Sequence, residues 1–368
     1  MRRKKKKNRK SLFSFIFIFI FLILILLCLF PLFTNKEKAG KIEIESENSE
    51  KEYINIPNGF YYVGGTINTG IVISDNSEDQ NKGTDYETSL NLKGNQYVWI
   101  PVENPIAKNE KELSNMVKEN KYPMAIQDGK NYRGLLYDYR GAEQAFELYT
   151  GDSDNKDDDE NKNREPAILS IPVYGDSEEF IKNSTGDLYQ TSFNKMIKSV
   201  EKYGGFFVSR YEIGNLHTDE ITSKANQNDV SNLSWPEGYN KIKSMYNSDS
   251  VTSEMIWGCQ WDAIMIWLYK SDENKTYFQK QTGEYCNNTY KSIFNTASNE
   301  KYSNKNIFDL IGNVSEFTQE AAYSSLRIAR GGSYNYDSCV SSPTMAVRER
   351  FGIGYNYENV GFRSVLIF

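Results

Sequence analysis

The stretch Asn306-Ile-Phe-Asp-Leu-Ile-Gly-Asn-Val-Ser-Glu-Phe-Thr318 decides the fold of this 368-residue chain. Its apolar residues lead into a glycine, which permits a tight backbone turn that a side chain would crowd. Asn313 and Glu316 then bring side-chain oxygens to the bend. With main-chain carbonyls of Ile311 or Val314, these oxygens could hold a hard cation such as calcium. An ordinary turn, in which the two side chains cap local backbone groups, explains the same residues.

Two further motifs follow, Arg330-Gly-Gly-Ser-Tyr334 and, near the end of the sequence, Gly361-Phe-Arg363. Together the three resemble motifs of the sulfatase-modifying-factor (formylglycine-generating enzyme) family, namely Asp-x-x-Gly-Asn-x-x-Glu-Trp, Arg-Gly-Gly-Ser-Trp/Tyr and Gly-Phe-Arg. Phe317 stands where the family usually has Trp. Three motifs in this order form a specific signal, although each alone is weak. The resemblance implies an irregular α+β domain with the C-type-lectin-like fold.

Charge is distributed unevenly along the chain. Residues 1–10 carry eight Lys or Arg and no acidic residue, and removing them from the net charge of −6 leaves −14 for the remainder. Nucleic-acid binding requires a basic face. The acidic remainder therefore argues against a nucleic-acid partner.

A 22-residue run without charge, residues 12–33, follows the basic head of residues 1–11. At about 1.5 Å per residue, a helix of this length spans roughly 33 Å and crosses a bilayer core. The sequence thus predicts a transmembrane helix with a cytoplasmic N-terminus and an extracellular remainder. A cleaved signal peptide is the alternative, but it needs a shorter apolar core and small residues at the cut, which Cys28-Leu-Phe-Pro-Leu-Phe33 does not provide.

The extracellular part divides by composition. Residues 34–52 are polar and predict a solvated stalk. Residues 53–368 form the predicted domain, and the family resemblance fits residues 104–186 poorly, so these are read as an insertion. An acidic run at 151–163 lies within it and is typical of a solvated loop.

Periodicity predicts the main elements of the domain. Apolar residues recur at helical spacing over 192–203 and 255–268, which indicates two helices. Phe206–Ile213 is read as a core strand, and Gly361–Leu366 as a closing strand. The region from Ile307 onward is rich in Gly, Asn, Ser and Tyr, which favours long loops on a small sheet.

Cysteine and histidine limit the chemistry. The chain has four Cys and a single His, His217, and no pair of Cys has the close spacing of a zinc site. Active relatives bind copper through two Cys just after the Arg-Gly-Gly-Ser-Tyr motif, and Tyr336 and Ser341 stand at those places here. A phenol and a hydroxyl cannot replace two thiolates around Cu(I). Cys339 lies between them, out of register.

The same stretch offers recognition side chains instead. We list as candidate ligand-binding residues Tyr334, Asn335, Tyr336, Asp337, Arg348, Arg350, Tyr355 and Tyr357. Tyr gives a rigid amphipathic surface, Asn gives adaptable hydrogen bonds and Arg gives bidentate contacts. Ordinary loop composition in a Tyr- and Asn-rich protein is the competing interpretation.

Three functions remain open from the sequence. The leading hypothesis is a membrane-anchored extracellular binding module without catalytic activity, which recognises a protein or glycan and carries structural calcium. The alternative is a metal-dependent oxidoreductase of the same family with a rearranged site that uses Cys339. A third hypothesis is a structural envelope protein whose domain packs against its neighbours.

The predicted topology can be tested on intact cells. Because the basic head precedes an uncleaved apolar run, external protease should remove the residues beyond about Lys36. Mass spectrometry of the retained fragment checks this. Protection of the whole chain would reverse the orientation, and a mature protein that begins after residue 34 would identify a signal peptide.

Overall fold

Short runs of β-branched and aromatic residues build the sheets of this protein. The computed structural model describes residues 40–45, 51–139, 146–149, 187–271, 292–323, 326–334 and 344–368. The predicted basic head, transmembrane helix and acidic run lie outside these residues. Within them, no helix is both long and apolar enough to cross a membrane.

The helices and strands of the described residues take their labels from chain order. The helices are α1 (Tyr86–Ser89), α2 (Glu110–Lys118), α3 (Asp187–Tyr203), α4 (Trp235–Met245) and α5 (Gly258–Ser271). The strands are β1 (Gly40–Glu45), β2 (Lys51–Ile56), β3 (Tyr61–Gly64), β4 (Val72–Ser74), β5 (Gln96–Pro101), β6 (Ile106–Ala107), β7 (Ala125–Asp128), β8 (Asn131–Gly134), β9 (Tyr137–Tyr139), β10 (Phe146–Leu148), β11 (Gly205–Ser209), β12 (Thr252–Met255), β13 (Ser303–Asn304), β14 (Ile307–Phe308), β15 (Ser315–Tyr323), β16 (Leu326–Arg330), β17 (Glu349–Gly352), β18 (Val360–Phe362) and β19 (Ser364–Ile367).

Two sheets carry the domain. The larger is antiparallel with the strand order β12-β19-β11-β5-β4-β3. The smaller has the order β17-β16-β15-β18, in which β15 and β18 run parallel. β6, β7 and β8 form a third sheet, and the pairs β1-β2, β9-β10 and β13-β14 are two-stranded. The result is a mixed fold of helices and mainly antiparallel strands.

Successive side chains of a strand point to opposite faces of its sheet. The strands of the larger sheet carry consecutive apolar residues, so both of its faces are apolar. Phe206 and Val208 pack with α3 and α5 on one face. Phe207, between them, faces the other side and joins a cluster with Trp99 and Ile54. A third cluster lies between α4 and the smaller sheet, where Trp235, Tyr239 and Phe317 meet Phe362.

The main sequence predictions are confirmed with shifted boundaries. The predicted helix 192–203 begins earlier, at Asp187, and the helix predicted at 255–268 begins only at Gly258. Its first residue, Met255, is the last residue of β12 and pairs with Ser364 of β19. The core strand predicted at Phe206–Ile213 is confirmed in part as β11, which lies in the middle of the larger sheet and ends earlier, at Ser209.

Two interpretations need correction. The closing strand predicted at Gly361–Leu366 is two strands, β18 and β19, in different sheets. The predicted stalk, 34–52, is not solvated throughout. It contains β1 and the first residues of β2, and Ile42 of β1 is buried in the same cluster as Ile54. Helix α4 was not anticipated, because a proline at its second position and Gly238 within it obscure the periodicity.

A single added methyl group tests the packing of α4 on the smaller sheet. A Cβ at Gly238 would lie 2.1 Å from a ring carbon of Phe362. We expect Gly238→Ala to lower the melting temperature, because overpacking costs about 1–3 kcal/mol. That cost exceeds the roughly 1 kcal/mol by which alanine favours a helix over glycine. Asn240→Ala, at an exposed position of the same helix, is the matched control and should leave the melting temperature unchanged or slightly raised.

Candidate functional site

Arg363 of the Gly-Phe-Arg motif joins the two sheets. It lies between β18 and β19, is fully buried, and donates from Nε to Glu316 Oε1 at 2.9 Å. Nη1 donates to the carbonyl of Ser209 at 2.8 Å, and Nη2 to the carbonyl of Phe308 at 2.9 Å. One guanidinium thus fixes the last strands against β11, β14 and β15.

The first two motifs meet through their backbones. Gly312 donates its amide to the carbonyl of Gly331 at 3.0 Å, and Tyr334 donates to the carbonyl of Asn313 at 2.9 Å. Gly312 and Gly331 have φ values of +84° and +90°, a region that glycine enters without steric cost. Asn313, at +55°, takes the left-handed conformation that Asn tolerates. The motif glycines are therefore required by the turn itself.

Both polar atoms of the Asn313 side chain are engaged by protein groups. Its Nδ2 donates to Glu212 Oε2 at 2.5 Å and to the carbonyl of Phe294 at 3.2 Å, while Oδ1 accepts from the Phe294 amide at 2.9 Å. The Val314 amide donates to the other oxygen of Glu212 at 3.2 Å. The bend is thus closed by the buried carboxyl group of Glu212, which lies in the segment that follows β11.

The predicted calcium ligands do not converge in this arrangement. Asn313 Oδ1 accepts from an amide, and Glu316 Oε1 accepts from Arg363. Ile311 and Val314 are buried. Of the side-chain oxygens of Asn313 and Glu316, Glu316 Oε2 is the one that is buried without a hydrogen-bond partner among the described residues. No group of three metal-binding side chains occurs among the described residues. The set fits calcium poorly, and calcium binding stays a prediction.

Three acidic side chains, Glu212, Asp309 and Glu316, are buried beneath the bend. The pKa of Glu212 is raised well above its ordinary value by burial, and the charges of Asp309 and Glu316 raise it further. Burial also raises the pKa of Glu316 to about 7, against the opposing effect of Arg363. Burial and the charge of neighbouring carboxyl groups therefore favour the protonated forms of Glu212 and Glu316.

A second buried ionic cluster lies beside the Arg-Gly-Gly-Ser-Tyr motif. Arg330 Nη2 donates to Asp262 Oδ1 at 2.8 Å and Nη1 to Glu320 Oε2 at 3.4 Å. Arg348 donates from Nε to Glu320 at 3.0 Å, from Nη2 to Asp262 Oδ2 at 3.0 Å and from Nη1 to Asp138 at 2.7 Å. Two arginines and three carboxylates therefore connect α5, β15, β16 and the segment before β17.

The predicted insertion contributes to this cluster. Asp138 lies on β9, whose neighbour Tyr137 donates its amide to Asp262 Oδ2 at 2.7 Å. The carbonyl of Tyr137 accepts from Arg348 at 3.1 Å, and the Arg348 guanidinium lies 4.4 Å from the ring centroid of Tyr149. The described part of the insertion is therefore fixed to the motif core by charge and by ring contact.

The structure separates the predicted ligand-binding residues into two groups. Arg348 is not a surface contact, since its side chain is only 8% exposed and its donors are engaged by three carboxylates. Arg350, two residues later, is exposed. Tyr355 is 66% exposed. Tyr357 is half-buried, and its hydroxyl accepts from the amide of Gly352 at 3.0 Å.

The rest of the predicted set lies around the Gly-Gly turn. Tyr334 is half-buried at the end of the turn. Asn335, Tyr336 and Asp337 fall outside the described residues, as do Cys339 and Ser341. The copper-pair comparison therefore rests on sequence alone.

Sequence reasoning missed the carboxyl groups that organise the site. Glu212, Asp262 and Glu320 are each at most 1% exposed. A charged residue inside an apolar run is the signal that identifies Asp262, because such a group must be paired when it is buried. The sequence gives no indication of which arginine pairs with which acid.

A pair of arginine substitutions tests the division between structural and surface positions. Arg348→Met leaves Asp138, Asp262 and Glu320 with one guanidinium, and breaking a buried pair of this kind costs about 3–5 kcal/mol. We expect a large fall in the melting temperature. Arg350→Met, at the exposed neighbour, is the control and should change it little. Equal effects of the two substitutions would contradict this assignment.

The acid cluster predicts a pH-dependent stability with a definite sign. Because the folded-state pKa values of Glu212 and Glu316 are raised, their stabilising contribution is complete below the ordinary value of 4.5. It is lost as the pH rises through the folded-state values. Denaturant unfolding from pH 4.5 to 8 should show this decline, and Glu212→Gln should make it shallower.

The Glu212→Gln variant also loses a hydrogen bond, because its amide group meets a donor. We expect this to lower the free energy of unfolding by about 1 kcal/mol at low pH. The pH slope, not the absolute stability, is therefore the test. Glu220→Gln, an exposed position, is the control and should retain the wild-type slope.

Comparison with known protein families finds a match over the residues that make most of these contacts. Residues 203–367 match the model of the sulfatase-modifying factor enzyme 1-like domain. The match covers the three motifs and both ionic clusters except Asp138. It confirms the resemblance read from the motifs. A comparison with curated protein sequences found no match.

Two solved structures resemble part of the chain. The crystal structure of CarF aligns with a TM-score of 0.33 at 13% identity and covers 45% of this chain and 87% of its own. Treponema denticola variable protein 1 aligns with a TM-score of 0.33 at 14% identity, covering 45% and 85%. These scores are too low to establish more than a partial likeness.

Proposed function

We propose that this protein, whose residues 203–367 form a domain of the sulfatase-modifying factor enzyme 1-like family, is a membrane-anchored extracellular binding module. In this proposal it recognises a protein or glycan through the exposed turn around Tyr355 and has no catalytic activity. The exposure of Tyr355 carries the proposal. Among the described residues, Tyr53 and Tyr355 are the large hydrophobic side chains that are exposed, at 52% and 66%.

The surroundings of Tyr355 favour recognition. Its ring lies 6.4 Å from that of Tyr357, and exposed Arg350 and Asn356 flank the turn. Tyr, Arg and Asn are the side chains that binding surfaces favour, since a large rigid ring gives contact area at a small entropic cost. An isolated exposed tyrosine would carry less weight than this group.

The turn is held from below by packed rings and by the smaller sheet. Tyr357 lies 4.7 Å from Phe351, whose ring is 5.9 Å from Phe317 in the core. β17 pairs with β16, and the buried Arg348 immediately precedes β17. A surface fixed in this way loses little conformational freedom on binding, which favours affinity.

The argument against catalysis comes from the motif positions. Tyr336 and Ser341 replace the two cysteines of copper-binding relatives, and neither supplies a thiolate. Calcium remains part of the proposal only as a structural ion, because the described contacts of Asn313 and Glu316 leave one free carboxylate oxygen.

Site-specific photo-crosslinking in the native membrane tests the recognition surface. The full chain is produced in its own cells with p-benzoylphenylalanine at Tyr355, and covalent adducts are identified by mass spectrometry. The same amino acid at Tyr53 is the matched control, since both tyrosines are exposed, Tyr53 on β2 and Tyr355 in the turn after β17. We expect a discrete adduct at Tyr355 only. It should be competed away by the purified partner and reduced several-fold by Arg350→Met.

Other outcomes would overturn the proposal. Equal labelling at both positions, or none at Tyr355, would reject this turn as the binding surface. Oxidation of a cysteine-containing peptide to formylglycine by the full chain with copper supplied, abolished by Cys339→Ser, would establish the oxidoreductase alternative.

A further inference from the structure

The only histidine of the chain holds a loop closed behind the proposed recognition surface. His217 Nδ1 lies 2.6 Å from Asp229 Oδ1, and its Nε2 lies 3.3 Å from the carbonyl oxygen of Asn232. The His217 amide also donates to Asp229 Oδ2 at 2.8 Å. The ring therefore bridges two points of the 214–234 loop.

Both neighbours of the ring are acceptors. A carboxylate and a main-chain carbonyl have no proton to donate, and a neutral imidazole has only one N–H. Neutral His217 can therefore make one of the two hydrogen bonds, whereas the imidazolium makes both and adds an ion pair with Asp229. The geometry fits the protonated ring.

The bridged segment supports the recognition turn directly. The Asn232 amide donates to the carbonyl of Tyr357 at 3.0 Å, and Ser231 Oγ donates to the carbonyl of Glu358 at 2.8 Å. A Cβ on Gly361 would lie 2.2 Å from the carbonyl oxygen of Val230, so the backbone segments around these two residues are in close contact. Residues 230–232 thus form the support on which 357–361 rests.

The charged groups that act on His217 come from its own loop and from α4. On its own loop, Asp229 contacts the ring and the acidic pair 219–220 follows it. From α4, Lys241 donates to the carbonyl of Thr218 at 2.7 Å and opposes protonation. Glu358 is the acidic residue of the supported turn. The hydrogen bond with Asp229 is the largest influence and raises the pKa of His217, while burial lowers it.

We propose that protonation of His217 closes the 214–234 loop onto the 353–361 turn, so that this protein presents a more ordered recognition surface in mildly acidic surroundings. A raised folded-state pKa means that the stabilisation is complete below the ordinary histidine value of about 6.5 and is lost as the pH rises through the folded-state value. A change of pH alters the order of residues 230–232 through His217. The 353–361 turn responds because Asn232 and Ser231 are hydrogen-bonded to it.

Hydrogen exchange and NMR on the full chain in lipid nanodiscs test the coupling without a ligand. With a single histidine, the imidazole Cε1–H signal needs no assignment and reports the protonation of His217 directly. Exchange rates, corrected for their intrinsic pH dependence, are measured from pH 5.5 to 8.0. We expect peptides covering 226–234 and 353–361 to be about two- to fivefold more protected at the acidic end, the size given by a partly exposed ion pair.

Two variants make the result decisive. In His217→Gln the pH dependence of both peptides should disappear, and in Asp229→Asn the NMR midpoint should fall and the protection should weaken. Peptides from 106–134, which belong to the third sheet and α2 and make their described hydrogen bonds outside the loop, are the internal control. An unchanged pH dependence in His217→Gln would overturn the inference, as would a response of 226–234 that does not extend to 353–361.

The loop closure itself does not depend on the proposed function. Only the statement that it orders a recognition surface rests on that function. A positive exchange result with no crosslink at Tyr355 would leave the loop closure standing and reject the recognition role. A crosslink at Tyr355 with no exchange effect would do the reverse.

Discussion

The contact between Arg363 and Glu316 is the constraint on which the rest of the structure depends. Two sheets that share no strand need contacts that fix one against the other, and a buried guanidinium reaches several acceptors at fixed angles. Arg363 donates to Glu316 on β15 and to carbonyls at Ser209 and Phe308, so it satisfies groups from three strands at once. A lysine, with one point charge, could not replace this fork. Two of the three motifs, the Asn306–Thr318 stretch and Gly361-Phe-Arg363, supply this joint.

The same chemistry explains what could and could not be predicted. Helix α3 and strand β11 were predicted because their apolar periodicity is local, and the turn at Gly312 was predicted because glycine enters such a turn without steric cost. Helix α4 was missed because a proline and a glycine interrupt its pattern. The break between β18 and β19 was missed because Arg363 redirects the chain through long-range contacts, which no local pattern encodes.

Arg348 and Arg350 show why a candidate site is harder to predict than a fold. Two residues apart in one polar stretch, they are equivalent in composition, but one is buried among carboxylates and the other is exposed. Their difference depends on Asp138, more than 200 residues earlier in sequence. The insertion that supplies Asp138 lies outside the family match and still helps to determine which arginine faces solvent. A binding surface of this type is therefore a property of the whole domain.

Two unrelated features give the protein the same response to pH. Beneath the bend, raised carboxyl pKa values favour the protonated cluster, and at the loop the raised pKa of His217 favours the imidazolium. Each contribution weakens as the pH rises, so a melting curve alone cannot assign the effect. The two differ in location: the carboxyl groups are fully buried around Arg363, where protonation changes the stability of the joint between sheets. His217 is half exposed at the edge of a loop, where protonation changes local order. Global unfolding thus reports mainly the first and local hydrogen exchange the second, and it is the second that reaches the recognition turn.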